Sequence, residues 1–468
     1  MPTSDATSRK LLWRSILIVA VALAVLVALD VALTLALEPY GSNSDSVWYE
    51  YRQATAAGEQ FDTLVIGSSV AQDSLQPGPI DDTLGATSFC LASPGQSLKS
   101  SFKALEVALA EHPVKRVILG TSYTQLAEEP WANSNMAFMQ ALVAGRPLPE
   151  QVARYASLLF DADYVGNVSS ISFLMPFTLS HVDYTPSAIR DNVRNRMECS
   201  TPLEAQARID NTWHPLGHGY ANYDGQVNPE TFDANYLGVN HLDFLGLGGK
   251  GLDDSEMEGL EEICALCEER GVELVVFAAP HPRFEVLSIA DAYPQGMAQV
   301  EELVSSHGAI FLDFNLARTD LYENWESDFI DATHLNQAGA GRLTPILADV
   351  VRRAEAGEDV SGLFYSYDQW DEFLSSLEGI YLVYFEEEQS AEGLLLEAKA
   401  CCGSNIRVEY RFEIQEADES WSVLRDWSQD PTLTLTEGGY RNANVRLLAR
   451  RAGTTEPERY HYQTITLL

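Results

Sequence analysis

An apolar run from Ser15 to Leu37, interrupted only by Asp30 and Thr34, opens the chain. As a helix it would rise about 34 Å, enough to cross a hydrocarbon core. Arg9, Lys10 and Arg14 precede it, and Glu38, Asp45 and Glu50 follow. The positive-inside rule therefore predicts a cytosolic tail (1–14), a transmembrane anchor (15–37) and export of everything beyond, which puts the protein in the plasma membrane as a single-pass chain. A cleaved signal peptide competes with this reading, but the run is longer than a usual signal core, and Leu35-Ala36-Leu37-Glu38 lacks a small-x-small cleavage site.

After an expected tether (38–60) the pattern becomes a rhythm of short apolar runs and amphipathic stretches. Asp62–Ile66, Arg116–Gly120, Val272–Ala279 and Ala309–Asp313 read as buried strands. Ser97–His112, Ser255–Arg270, Gly296–His307 and Asn336–Glu355 read as the helices between and after them. Strands that are apolar throughout and alternate with helices predict a three-layer α/β/α sandwich on a mostly parallel sheet, spanning 61–356. The rhythm fails between about 128 and 254, where Asn, Tyr, Trp and Phe are frequent without a period. A structureless loop of that length is improbable, so a partly helical lid insertion over the sheet's edge is expected. From 357 to 468, runs such as Ile380–Phe385, Ile406–Gln415 and Val445–Arg450, separated by Gly, Asp, Ser and Asn, predict an all-β, sandwich-like accessory domain.

The chain has 468 residues, 46% of them hydrophobic, and a formal net charge of −38, all of the acidic excess lying beyond residue 37. A surface this acidic argues against a nucleic-acid partner. Six cysteines include Cys264 and Cys267, three apart, and the adjacent Cys401 and Cys402, with no second pair or histidine cluster to complete a zinc set. Neither a metal nor another cofactor is expected.

Two segments carry chemistry. Val65-Ile66-Gly67-Ser68-Ser69-Val70 runs a strand into a turn that presents a serine at the carboxyl edge of the sheet, where α/β proteins bind ligands. Phe329-Ile330-Asp331-Ala332-Thr333-His334 precedes the last helix of the α/β region. A carboxylate three residues ahead of a histidine can hold one ring nitrogen while the other faces a nucleophile. Ser69, His334 and Asp331 are the candidate triad, with Ser68 the second choice of nucleophile. His281 or Arg283, in the Pro280–Arg283 loop after a strand, is a candidate substrate contact. Trp213, His214, His218 and Tyr220 form an aromatic cluster inside the insertion, suited to stacking on sugar or to packing of the lid.

These two segments resemble those of the SGNH, or GDSL-like, hydrolase superfamily. Gly-Ser-Ser in place of Gly-Asp-Ser, with an N-terminal anchor, looks most like the branch containing the teichoic-acid D-alanylation protein DltD and the alginate acetylation proteins. The resemblance covers roughly 60–355 and implies Ser69 as nucleophile, His334 as general base and acid, and Asp331 as the residue orienting it. It implies Gly95, in Ala92–Ser97, as an oxyanion donor through its N–H. The third block of many such hydrolases, Gly-x-Asn-Asp, is here Gly120-Thr121-Ser122-Tyr123; the asparagine donor is absent, and Ser122 or Thr121 would have to replace it. Losing one such donor costs on the order of 3 kcal/mol, which favours the acyltransferase-like branch over efficient hydrolysis.

The expected function is an extracytoplasmic acyltransferase or O-acyl esterase that modifies a cell-envelope glycopolymer or lipid-linked saccharide through a serine acyl-enzyme. An acyl donor made in the cytosol would require a transmembrane acyltransferase partner, which the resemblance also implies. The alternative is a non-catalytic envelope protein that binds polymer or supports assembly on the same scaffold. Geometry separates them: His334 should meet Ser69 in the first case and point into the core in the second. Arg407–Phe412, followed by Trp421, Trp427 and Gly438-Gly439-Tyr440, also resembles sandwich domains with a triple-tyrosine pattern found beside extracellular bacterial enzymes, implying either polymer binding or a purely structural module.

Overall fold

In the parallel sheet, strands of almost entirely buried residues leave no polar face, so helices must cover both sides. The computed structural model describes residues 4–37, 40–41, 43–128, 141, 143–158, 185–209, 213–223, 225, 251–390, 393–436, 440 and 442–465. Its central sheet has five parallel strands: β1 (Thr63–Gly67), β2 (Ser88–Cys90), β3 (Arg116–Thr121), β6 (Glu273–Ala278) and β7 (Ile310–Asp313), in the spatial order β2-β1-β3-β6-β7. A two-stranded hairpin, β4 (Trp213–Gly217) and β5 (Tyr220–Tyr223), comes between β3 and β6 in the chain and stands apart from this sheet. The strand order turns back on itself between β1 and β3, the switch point at which such sheets open a crevice beyond their carboxyl ends.

Alternation along the strands builds two cores. Leu64, Ile66, Val117, Leu119 and Val276 pack against the helices Leu98–Glu111, Asp254–Arg270 and Tyr293–Ser306. Val65, Ile118, Val275 and Phe277 face the opposite layer, with Val70 and Ala71 from the helix Ser69–Ser74 and Leu343, Leu347 and Val351 from the helix Gln337–Glu355.

The N-terminal helix spans Ser4–Leu37, and none of the residues in its apolar stretch Arg9–Leu29 is buried. It is either a single membrane span or a signal sequence. The stretch 38–60, expected as a tether, contains the helix Asn43–Ala56, whose Val47, Trp48 and Tyr51 are buried in the first core. Apolar residues at i, i+1 and i+4 in a polar background make one narrow stripe, enough to dock a helix and too little to stand out in the sequence.

Within 128–254 much lies outside the described residues. The described parts are the helices Leu148–Leu158, Pro186–Glu198 and Pro202–Ile209 and the β4–β5 hairpin. The hairpin turn closes over the edge strand of the sheet: the carbonyl of His218 accepts the N–H of Cys90 at 2.8 Å. A Cβ on Gly219 would collide with the carbonyl of Cys90, so the turn needs glycine there.

The C-terminal region holds two antiparallel sheets. One is ordered β12-β9-β8, from Thr432–Leu435, Gly393–Cys402 and Ile380–Ser390; the other is β11-β10-β13-β14, from Trp421–Ser428, Val408–Gln415, Asn444–Arg451 and Arg459–Thr464. Val383, Phe385, Leu394 and Leu396 of the first sheet interdigitate with Phe412, Val445, Leu447 and Ala449 of the second. This region is joined to the α/β domain by shared core, with Leu382 and Cys401 packed among Phe314, Leu347 and Val350, and by an Arg459–Glu326 ion pair at 2.6 Å.

Candidate active site

The nucleophile turn exists because two strand ends are bare. Gly67 closes β1 with φ +130°, a conformation that L side chains rarely adopt, and it is in register with Gly120 on β3. A Cβ on Gly120 would lie 2.6 Å from that of Ala71, so the helix Ser69–Ser74 descends onto the strand tops only where both side chains are missing. Ser68 is the N-cap residue and Ser69 the first residue of that helix. The Ser69 N–H has no acceptor among the described residues, as expected of a helix's first turn.

The second half of the site is a closed loop. Phe329 bridges Leu335, the Ile330 N–H donates to the His334 carbonyl at 2.9 Å, and that of Asn336 donates to the Asp328 carbonyl at 2.8 Å. Asn336 then caps the helix Gln337–Glu355 by accepting the Gly339 N–H. Inside the loop, Oδ1 of Asp331 accepts the backbone N–H groups of Thr333 and His334, both at 2.8 Å, which fixes the carboxylate before the ring is considered.

Three residues then make one continuous relay. His334 Nδ1 lies 2.8 Å from Asp331 Oδ2 and 3.0 Å from Oδ1, and His334 Nε2 lies 2.8 Å from Ser69 Oγ. A carboxylate only accepts, so Nδ1 carries the hydrogen and Nε2 offers a lone pair to the serine hydroxyl. Burial opposes ionisation of Asp331, but the hydrogen bond and charge of His334, with the two backbone N–H groups, hold its carboxyl well below the ordinary range. Burial likewise opposes charging of His334, and the Asp331 hydrogen bond and charge, helped by Asp73, leave its pKa above the ordinary value. Base strength at Nε2 is thereby raised while the resting ring stays neutral above that pKa. All three residues are half-buried, which leaves the serine reachable.

The other candidates divide. Gly95, at φ +70°, has an N–H with no acceptor among the described residues, and its loop is tied beside the nucleophile because the Ser93 N–H donates to the Gly67 carbonyl at 3.2 Å. Thr121 is fully buried, and strand alternation puts its side chain with Val117 and Leu119, on the layer opposite the nucleophile helix. Ser122 caps the helix Tyr123–Ala127, its Oγ accepting the Gln125 N–H at 3.2 Å. Ser68 donates to Oε1 of Gln125 at 3.2 Å, so the runner-up nucleophile is engaged with the β3 side of the site instead of with His334. Arg283 is buried and donates to the Asn315 carbonyl. His281 is buried with Nδ1 2.9 Å from the Ala279 carbonyl. In the hairpin, His218 packs against Phe61 and Phe89, and Tyr220 is buried with its hydroxyl accepting from Gln76. Trp421 and Trp427 of the β region carry the guanidinium groups of Arg446 and Arg450 at 4.4 and 4.2 Å from their ring centres.

Three residues not anticipated from sequence contribute. The Gln125 amide ties the Ser68 turn to the Gln96 loop, accepting from Ser68 and donating from Nε2 to the Gln96 carbonyl at 3.2 Å. Thr333 Oγ1 lies 3.0 Å from His334 Nδ1 and 3.3 Å from Asp331 Oδ1. Asp73, one turn beyond Ser69, is buried, and its carboxyl is pushed up to about 7, by burial first, with the His334 charge opposing and that of Asp331 adding.

Chemically, the arrangement can activate a serine for attack on a carbonyl. The backbone N–H groups of Ser69 and Gly95 are available to a developing oxyanion. Among the described residues, no group of three His, Cys, Asp or Glu side chains is arranged to hold a metal ion. No family model matches the chain, and no curated protein matches it in sequence.

Proposed function

We propose that this chain is a membrane-anchored, extracytoplasmic serine acyltransferase or O-acyl esterase of SGNH type that modifies a cell-envelope glycopolymer. The observation that carries the reading is the unbroken Ser69–His334–Asp331 relay, with Nε2 of the histidine 2.8 Å from the serine hydroxyl. The order β2-β1-β3-β6-β7 is compatible with the SGNH fold and with other doubly wound sheets, so it supports the reading without choosing it. The apolar N-terminal helix supports attachment at the plasma membrane with residues beyond 37 outside.

In the proposed reaction Ser69 Oγ attacks an ester or thioester carbonyl as His334 takes its proton, and the leaving group takes that proton from His334. An acceptor hydroxyl then attacks the acyl-serine, giving its proton to His334, which returns it to Ser69 Oγ as the acyl–oxygen bond breaks. The missing asparagine donor weakens oxyanion stabilisation for water and alcohol alike, so transfer is preferred here on the resemblance and the anchor, with the Ser69 and Gly95 N–H groups as the proposed donors.

The test has two arms. The purified chain, given an activated acetyl ester, should accumulate an acyl group on the peptide that contains Ser69. Envelopes from cells with and without the protein should differ in the acetate or alanine they release on mild base treatment. No acyl-serine together with equal release from both envelopes would overturn the reading.

A further inference from the structure

The histidine in the Pro280–Arg283 loop has a forced tautomer. Nδ1 of His281 lies 2.9 Å from the Ala279 carbonyl oxygen, which can only accept, so the ring hydrogen sits on Nδ1. Nε2 is then a bare acceptor. It has no partner among the described residues, and the residue is 4% exposed. Burial, with the nearby positive charge of His334, pushes the ring's pKa down to about 4, although the Ala279 bond and Asp331 act the other way. The ring is therefore neutral at physiological pH and within electrostatic reach of both His334 and Asp331.

The backbone of the same residue is clamped. Its N–H donates to Asn315 Oδ1 at 2.8 Å, and its carbonyl accepts from Asn324 Nδ2 at 2.7 Å. That second bond fixes which way the Asn324 amide points, and Asn324 Oδ1 is left as another buried acceptor with no donor among the described residues. Two unsatisfied acceptors on adjoining loops at the carboxyl edge of β6 and β7 are an unusual expense in a folded chain, where buried acceptors are nearly always paired. Their complement is a group rich in O–H donors. An oxyanion would be repelled, so the substrate contact expected of His281 is one made to a donor.

We infer that His281 Nε2 and Asn324 Oδ1 form the acceptor-substrate site, taking hydrogen bonds from hydroxyls of a polyol or sugar that lie beside the hydroxyl attacking the acyl-serine. This rests on the proposed acyl-enzyme. The attacking hydroxyl must direct its own proton to His334 Nε2, so the hydroxyls held by His281 and Asn324 are others on the same molecule. The site thus selects acceptors with several hydroxyls over water and over simple alcohols.

The experiment uses the full chain in detergent, loaded with p-nitrophenyl acetate, with glycerol, methanol or water alone resolving the acyl-enzyme. In His281→Asn the side-chain amide keeps a donor for the Ala279 carbonyl and removes the Nε2 position; His281→Gln puts an amide oxygen near that position. The acylation burst of each variant measures how much acyl-enzyme forms, and the products are normalised to it. The ratio of glycerol ester to free acetate should fall about ten-fold in His281→Asn and recover in His281→Gln, with transfer to methanol unchanged. An unaltered glycerol ratio in His281→Asn would overturn the inference and leave a buried water as the occupant of these acceptors. A lowered burst with a matching loss of thermal stability in both variants would also overturn it, by showing a structural role alone. If the unsubstituted chain shows no burst at all, the parent reading of an acyl-serine fails first, and this inference with it.

Discussion

Replacing Asp73 by Asn should make the protein more stable at all but acid pH, by an amount that grows from about pH 4 and levels off above about pH 7. The carboxyl is 3% exposed, and burial pushes it up to about 7, against about 3.9 in an unfolded chain. A gap of roughly 3 units at about 1.36 kcal/mol per unit corresponds to about 4 kcal/mol. The folded state holds a proton that the unfolded state releases first. The associated stability is therefore complete below about pH 4, fades as pH rises through about 7, and is gone above that. Asparagine keeps the size and the hydrogen-bonding capacity and has no proton to lose.

The two proteins should thus unfold at similar urea concentrations at pH 4, with the variant ahead by up to about 4 kcal/mol at pH 8, read by tryptophan fluorescence on the full chain in detergent. Asp313, pushed up to about 6, and Glu256, pushed up to about 7, titrate in the same range, but both are common to the two proteins and cancel in the difference. A variant advantage that is the same at pH 4 and pH 8, or that shrinks with rising pH, would refute the assignment of Asp73 as a buried, protonated acid.

Other consequences follow from the same geometry. Gly67→Ala forces an L side chain into φ +130° and a collision with the Gly120 carbonyl, so the urea midpoint should fall by an amount equivalent to about 1–3 kcal/mol from backbone strain alone, and acylation of Ser69 should slow. Asp331→Asn keeps the loop's shape but loses the ionised partner of Nδ1; kcat for an activated ester should drop on the order of 10⁴-fold with KM little changed. The pKa of His334 is raised, and the neutral ring is the base, so the acidic limb of the kcat/KM profile should lie above about pH 6.5.

How much of this could be read beforehand differs residue by residue. Ser69, His334 and Asp331 were legible because each sits in a short local pattern whose chemistry depends on spacing: a serine after a strand that ends in glycine, and a carboxylate three residues before a histidine. The α/β rhythm was legible because a short strand that is apolar throughout has no face for water and must lie between two layers of helices. Thr121 lies on the strand face away from the Ser69–Ser74 helix, and the alternation that sets it with Val117 and Leu119 was already present in the strand. Gln125 was missed because its partners, Ser68 and Gln96, come from two other loops, and only the register of β1 with β3 brings them together. The burial of Asp73 is tertiary as well: a carboxylate in Ser69–Ser74 looks solvated until the packing around its helix is known. In the β region, β11 and β14 were not anticipated because their residues are mostly half-buried, without the clean in-out alternation that marks a strand. The three-residue β2 is too short to leave any period.

The central claim is that Ser69 is a nucleophile activated by His334, and a serine-directed fluorophosphonate probe tests it most directly. The unsubstituted chain and Ser68→Ala should be labelled on the peptide containing Ser69, while Ser69→Ala and His334→Ala should remain unlabelled though folded. Labelling of Ser69→Ala at the unsubstituted rate, or no labelling of the unsubstituted chain, would contradict the account.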